Sequence, residues 1–551
     1  MAGDDGDAPR SVVTKKADTI ILGGAVVPIT GPPAEAVAVQ GERIAAVGSR
    51  EDILAWKGKG TEVVDLKGAV LLPGLIEPHT HPDLSAQIYA WVDVGGFNHP
   101  TEAQVEAALR EAVRAAKPGE WVFAFGLDPM LTPDLGRWDR DRLDALAPEN
   151  PVVVMIQSMH TVFVNSLALK VAGVDEDTPD PPGGGNFSRD ASGRLSGAAV
   201  EQPAINRFVG FFNQSAQAWQ SRLADQYRRY RQAGITTIGA AGLFVPDPLW
   251  PAFEEVTLSQ PVRVVAYLHQ ARAQTTKLSP GDGNDRLRFQ GVKFWYDGSP
   301  YSGTMLLDAP YLESPLCCDR LGIQPGSRGH ANFDASAVTE LLGDLYRQGW
   351  QVMTHAQGDR GSREILDLYE KVLSPSGRKD HRWRLEHCAL ITDDDLARAA
   401  RLGVTVSFHV NHVYYYGPEL RDAILGPDRA EGVMPLASAL RHGHRVSLHA
   451  DSPMYPADPL KLMQTAITRR TRSGDRLGAA QAITAEQALR AVTIDAAWQL
   501  FADDRIGSIE PGKYADFTVL ERDPLEVSPE KLDKVGVLGT WSGGKPAGGQ
   551  V

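Results

Sequence analysis

The sequence predicts an α/β protein: a barrel of parallel βαβ units, a β-sandwich made from both chain ends, and an inserted α/β module. Three observations lead there. Through the middle of the chain, apolar runs of strand length alternate with amphipathic helical stretches, the pattern of parallel βαβ units. The two ends share another texture, short alternating strands broken by Gly and polar pairs. Finally, 551 residues are far more than the roughly 250 of a plain eight-fold barrel, so further modules must be attached.

In chain order, residues 1–17 are acidic and polar and are expected to form a flexible tail. They lack the basic start and apolar stretch of a secretory signal. Residues 18–72 read as short strands, TIILGGAVVPI, AVAVQGERIAAVG and EVVDLKGAVLLPG, and residues 501–551 contain the similar IGSIEPGKYADFTVLERD. Together they are expected to build one composite β-sandwich. The barrel is expected over 73–500, with candidate strands at Val152–Gln157, Ile235–Ala240, Val262–Leu268, Val292–Tyr296, Gln351–His355, Arg384–His387, Val404–His409 and Arg445–Asp451. An insert is expected at about 95–225, where the helical TEAQVEAALREAVRAAK and the Pro/Gly-rich DTPDPPGGGNFSRDASGR interrupt the pattern.

A net charge of −13 argues against nucleic acid or an anionic membrane as the main partner, since either would be repelled. No apolar stretch reaches the length of a transmembrane helix. Three cysteines, Cys317, Cys318 and Cys388, cannot build a disulfide framework. A cytoplasmic protein acting on a small molecule is the expectation.

Chemistry begins with LLPGLIEPHTHPDL, residues 71–84. His79 and His81 are two apart, so in an extended segment both imidazoles face one point. His355, His387 and Asp451 each end another strand-like run, and in barrels of this type working residues sit past the C-terminal strand ends. Imidazoles with a carboxylate are the donor set of a hydrolytic zinc-type centre. Singly, each has a structural explanation: a satisfied polar strand end for the histidines, a helix N-cap for Asp451. Their joint placement favours the metal. His409, His412, His442 and His444 are assigned to structural or surface roles, while His449, two residues before Asp451, is a candidate to support the ligands. Lys293 lies inside the apolar run VKFWY, where an unpaired ammonium is costly. From pattern alone it snorkels or pairs with Asp297; near two cations its neutral amine could instead form a carbamate that bridges them.

The stretches PGLIEPHTH, VKFWYDGS, THAQGDRG, RLEHC, HADSP and IGSIEPGKYADFTVLERDPL resemble the amidohydrolase superfamily. APENPVVVMIQSMHTVFVNSLAL and the PPGGG and GRLSGAAVEQ segments resemble its YtcJ-like branch, which includes N-substituted formamide deformylases. The resemblance runs from about Asp18 to Pro524. It implies a distorted (β/α)8 TIM barrel with a binuclear, usually zinc, centre. His79 and His81 would hold the first cation, a carboxylated Lys293 would bridge, and His355 and His387 would hold the second. Asp451 would touch the first cation and serve as general base, then acid. Glu77 stands where the family often has Asp or Asn, and HADSP departs from its usual GSDAP or GTDAP.

The function so implied is hydrolysis of an amide C–N bond, in an N-substituted formamide or other N-acyl amine, by water activated between the cations. His160 is a candidate to reach the carbonyl or its oxyanion, or else a polar residue of the insert. Trp295, Tyr301, Tyr414 and Tyr415 are candidates to line an aromatic pocket. Cleavage of a cyclic amide, an ester or lactone, or deamination of a heterocycle would use the same centre, and a metal-free binding module is the non-enzymatic alternative. A homodimer is compatible with the family.

Overall fold

The computed structural model describes residues 16–373 and 380–549. At its centre are eight parallel strands: β1 (Leu75–Thr80), β2 (Ile235–Leu243), β3 (Arg263–His269), β4 (Leu287–Trp295), β5 (Gln351–Ala356), β6 (Arg384–His387), β7 (Thr405–Phe408) and β8 (Ser447–Leu448). Each pairs in parallel with the next in chain order. β1 and β2 are buried at every position, as strands of a parallel sheet covered on both faces are. No ladder joins the two-residue β8 to β1 in this sheet. Instead the Ala450 N–H donates to Glu77 Oε2 at 3.1 Å and the His81 N–H to the Ser452 carbonyl at 2.8 Å. Glu77, an acid inside an apolar strand, thus ties the last turn of the barrel to the first.

Helices Ala216–Gln232, Trp250–Ser259, Ala335–Gln348, Asp359–Leu373, Asp393–Leu402 and Leu436–Arg441 precede β2, β3, β5, β6, β7 and β8. Between β3 and β4 stands only the four-residue Gln270–Ala273, and there the barrel departs from regularity. Local signals mark the helix ends. At Asp393–Leu402, Thr392 Oγ1 accepts from the Asp395 N–H at 3.1 Å, Asp393 to Asp395 oppose the positive end of the helix dipole, and Gly403 stops the helix at φ 71°.

Both chain ends meet beside the barrel. A four-stranded sheet comes from the N-terminal region (Arg43–Gly48, Ala36–Gln40, Thr19–Leu22, Glu62–Asp65), and a five-stranded sheet mixes the ends (Ala25–Val26, Val70–Pro73, Phe517–Leu520, Val537–Ser542, Lys545–Gly549). Their shared core includes Ile21, Val37, Leu71, Phe517 and Trp541. Arg263 of β3 anchors this unit through an ion pair to Asp516 at 2.6 Å. The expected tail lies outside the described residues up to position 15. Ala17 is already buried, its N–H donating to the Trp56 carbonyl at 2.9 Å.

Between β1 and β2 a second α/β layer is inserted, with a six-stranded sheet ordered Asn186–Arg189, Leu195–Val200, Thr161–Val164, Val152–Ile156, Val122–Leu127, Val92–Asp93. Here one expectation is corrected. Val152–Ile156 is a strand, but of this sheet and not of the barrel, pairing antiparallel with Thr161–Val164 across a short turn. A barrel strand would need a crossover to its neighbour, which that turn cannot provide. Residue 225 falls inside helix Ala216–Gln232, whose Tyr230 hydroxyl bonds Thr80 Oγ1 of β1 at 2.8 Å. Among the described residues, no helix is long and apolar enough to cross a membrane.

Candidate metal centre

The C-terminal ends of β1, β4, β5, β6 and β8 bring together His79, Lys293, His355, His387 and Asp451, and His81 comes directly after β1. All six are buried. His79 Nδ1–H donates to Glu386 Oε2 at 2.6 Å, while Lys293 Nζ donates to His79 Nε2 at 3.1 Å. Bonds at both nitrogens fix one tautomer, with the lone pair of Nε2 facing inward. Glu386 is held in turn by Arg384, 2.8 Å away, and both side chains are fully buried. His81 Nε2 and His79 Nε2 approach Asp451 Oδ1 at 3.0 and 3.4 Å. Burial opposes ionisation of Asp451, but these imidazoles outweigh it and hold the carboxyl well below its usual range. Its side chain faces the histidines, so the N-cap explanation is not what is seen.

His387 pairs its Nδ1 with His449 Nε2 at 3.2 Å, and His449 Nδ1 meets Ser407 Oγ at 2.7 Å. The His449 ring also stacks on His79 with centroids 4.7 Å apart. His449 therefore touches two of the six residues. His355 Nε2 faces the Gly298 carbonyl at 3.2 Å and its ring lies 4.2 Å from that of His387. Burial drives the pKa values of His79, His355, His387 and His449 well below the ordinary imidazole value, leaving the neutral form that ligates. His387 and Asp451 sit in the left-handed region at φ 72° and 56°. Such backbone costs about 1–3 kcal/mol for a non-glycine residue and collects at functional sites.

Lys293 does not pair with Asp297. Asp297 accepts instead from the N–H groups of Leu306, Gln357 and Gly358 at 3.1, 2.9 and 2.9 Å, and burial pushes its pKa up to about 7. The Lys293 ammonium lies 4.6 Å from the centre of the Trp295 ring, and burial pulls its pKa down to about 8.

The insert contributes His160, whose ring is 5.3 Å from that of His355 and whose Nδ1 lies 3.0 Å from both oxygens of Glu201. Burial alone would lower its pKa, but the Glu201 charge and hydrogen bond override this and raise it. Among the aromatic candidates, Trp295 lies over Lys293 and near His81, with ring centroids 6.4 Å apart. The Tyr301 hydroxyl bonds His412 Nδ1 at 2.7 Å. Tyr415 stacks on Tyr455, which contacts the His409 and His412 rings. Tyr414 turns away to Lys461, whose ammonium is 3.5 Å from its ring centre.

Three groups of side chains have metal-ligand atoms within 4.8 Å of one another: His79 with His81 and Asp451, His79 with His387 and His449, and His387 with His409 and Asp451. His387 Nε2 and His409 Nδ1 are buried without a hydrogen-bond partner among the described residues. Neutral nitrogen donors with a carboxylate suit a zinc-type cation. The cluster therefore fits such an ion on its own chemistry. The sequence patterns did not single out Glu386, Arg384 or Glu201, and they assigned His409 to a structural or surface role although it is fully buried. Arg384 and Glu386 carried a signal, being opposite charges two apart on one face of an apolar strand.

An eight-stranded parallel barrel carrying this cluster at its C-terminal mouth defines a hydrolase-type site. The family description "Amidohydrolase family" matches residues 62–547, and the chain belongs to that family and is a hydrolase. It is 29% identical over 521 residues to the N-substituted formamide deformylase of Arthrobacter pascens, covering 93% of this chain and 94% of that one. It is 26% identical to the putative amidohydrolase YtcJ of Bacillus subtilis (strain 168), covering 91% and 93%. In fold it matches an uncharacterized metal-dependent hydrolase of Pyrococcus horikoshii OT3, with a TM-score of 0.72 and 22% identity over 93% of this chain and 99% of that one.

Proposed function

We propose that this hydrolase cleaves the C–N bond of an N-substituted formamide or another N-acyl amine at a centre of two divalent cations, zinc by preference. The convergence of neutral imidazoles, the Asp451 carboxylate and Lys293 in one buried cluster carries this reading. The similarity to a formamide deformylase over nearly the whole chain supports the choice of amide. In this reading His79, His81 and Asp451 would hold one cation and His355 and His387 the other, and a carboxylated Lys293 would supply oxygen donors to both. A lysine pKa of about 8 keeps enough free amine for its nitrogen to add to carbon dioxide with loss of a proton.

Bound there, the cations polarise the amide carbonyl and make water nucleophilic at neutral pH. The chain's own groups move the protons. Asp451 accepts one from the attacking water and passes it to the leaving nitrogen. His160, which Glu201 keeps inclined to protonation, donates a hydrogen bond to the carbonyl oxygen as negative charge develops there. Trp295 and Tyr301 supply apolar walls for the amine substituent.

The test is turnover on a panel of N-formyl amines, N-acyl amines, lactones and aminopurines, with wild type and Asp451→Asn. Formate release from N-formyl amines, falling by about 10²–10⁴ in Asp451→Asn with the far-ultraviolet circular dichroism unchanged, is the expected result. Hydrolysis of lactones alone would overturn the substrate assignment, and retention of most activity in Asp451→Asn would overturn the proton-transfer role.

A further inference from the structure

His409 comes directly after β7, a strand that carries none of the six residues of the proposed centre. It is fully buried. Its Nε2 lies 3.0 Å from the Ala450 carbonyl. A carbonyl can only accept, so Nε2 carries the hydrogen, and in the neutral ring Nδ1 is left as a bare lone pair. That lone pair has no hydrogen-bond partner among the described residues, and it faces Asp451 Oδ2 at 4.0 Å. Two acceptors turned towards each other in a buried site repel unless something positive lies between them. A separation of 4.0 Å is too long for a hydrogen bond. It is a few tenths of an ångström longer than the about 3.3–3.6 Å between two ligands of a tetrahedral zinc ion about 2.0–2.2 Å from each, so a shared cation would draw the two side chains together.

A third acceptor converges on the same point. His387 Nε2 is also buried and, among the described residues, without a hydrogen-bond partner, and with His409 and Asp451 it forms one of the groups whose ligand atoms lie within 4.8 Å of one another. His449 sits at the other nitrogen of His387, 3.2 Å away, where metal-ligating histidines usually find a group that orients them. The two oxygens of Asp451 thus face different partners: Oδ1 the His79 and His81 pair, Oδ2 His409.

We propose that His409 is itself a metal ligand, forming with His387 and Asp451 a position for a zinc-type divalent cation at the Asp451 oxygen opposite His79 and His81. This rests on the reading of the chain as a metal hydrolase and amends its second position, where His409 stands in place of His355, and β7 then contributes to both binding and support. His355, whose Nε2 faces the Gly298 carbonyl, lies outside all three ligand groups.

The test compares full-length wild type with His409→Gln. Metal content is measured after dialysis against buffered free zinc, affinity by chelator competition, and the visible absorption of each protein after cobalt(II) replacement. Wild type is expected to hold two cations, with His409→Gln losing one or binding it more than tenfold more weakly, and with a changed cobalt spectrum. The metal-free proteins are compared by circular dichroism, and His409→Asn, smaller and still polar, serves as a second variant should glutamine disturb packing. Equal stoichiometry, affinity and cobalt spectrum in all three proteins would overturn the His409 assignment while leaving the metal hydrolase intact. A wild type that binds no cation would overturn both.

Discussion

Replacing Glu386 with glutamine removes one charge from the line Arg384, Glu386, His79 and should disable the centre without touching a proposed ligand. In the wild type, Glu386 Oε2 accepts from His79 Nδ1–H at 2.6 Å, and Arg384 lies 2.8 Å from the same carboxylate. A glutamine carbonyl will turn to Arg384, which offers only donors, and its amide N–H₂ will then face His79 Nδ1. A donor at that position drives the hydrogen of the imidazole to Nε2, the atom that must stay bare to ligate. Loss of an orienting partner of this kind typically weakens a metal 10–100-fold, about 1.4–2.8 kcal/mol. A second cost appears in stability. Both side chains are fully buried, and breaking a buried ion pair costs about 3–5 kcal/mol. The low end applies because the glutamine carbonyl keeps one contact with the guanidinium and Arg384 also reaches the Pro78 carbonyl at 3.4 Å. Chelator competition measures the first effect and the thermal unfolding midpoint of the metal-free protein the second. A zinc affinity within twofold of wild type would refute the tautomer argument, whatever happens to the midpoint.

Two other predictions use the perturbed groups. Glu201→Gln removes the charge that raises the His160 pKa, so the alkaline fall in kcat/KM should move to lower pH; a profile unchanged from wild type would separate His160 from the reaction. Lys293 has its pKa pulled from 10.5 to about 8 by burial, so between those values the unfolded chain holds more protons than the folded one and stability rises with pH. At pH 7 the buried ammonium costs the metal-free protein about 3 kcal/mol. Lys293→Met should therefore raise the metal-free unfolding midpoint at pH 7 and flatten its rise from pH 8 upward, while abolishing binding of the second cation. A lowered midpoint would mean that the lysine is paired in the metal-free state.

Much of the centre was legible in the sequence because a parallel barrel gathers at one mouth the residues at the C-terminal ends of its strands. His79 and His81 needed only a period of two, and His355, His387 and Asp451 needed only their places at the ends of apolar runs. Lys293 stood out as an amine inside an apolar strand, but its pattern alone favoured snorkelling or a pair with Asp297, and only the resemblance suggested a place beside the histidines. The barrel itself was visible in the alternation of runs and helices, and the composite sandwich in the matching texture of the two ends, which meet where Val70–Pro73 pairs with Phe517–Leu520. Val152–Ile156 shows the limit of that reading. A short apolar run looks the same in any buried sheet, and only its antiparallel partner, Thr161–Val164, assigned it to the insert.

What the tertiary structure alone decided is which nitrogen and oxygen atoms are left without partners. Local sequence says nothing of the Ala450 carbonyl that fixes the His409 tautomer, of Glu386 reaching His79 across 307 positions, or of Glu77 tying β1 to the turn beyond β8. Sequence patterns report spacing along one strand, whereas tautomers and bare lone pairs depend on neighbours from other strands. Those neighbours exist only once the barrel has closed.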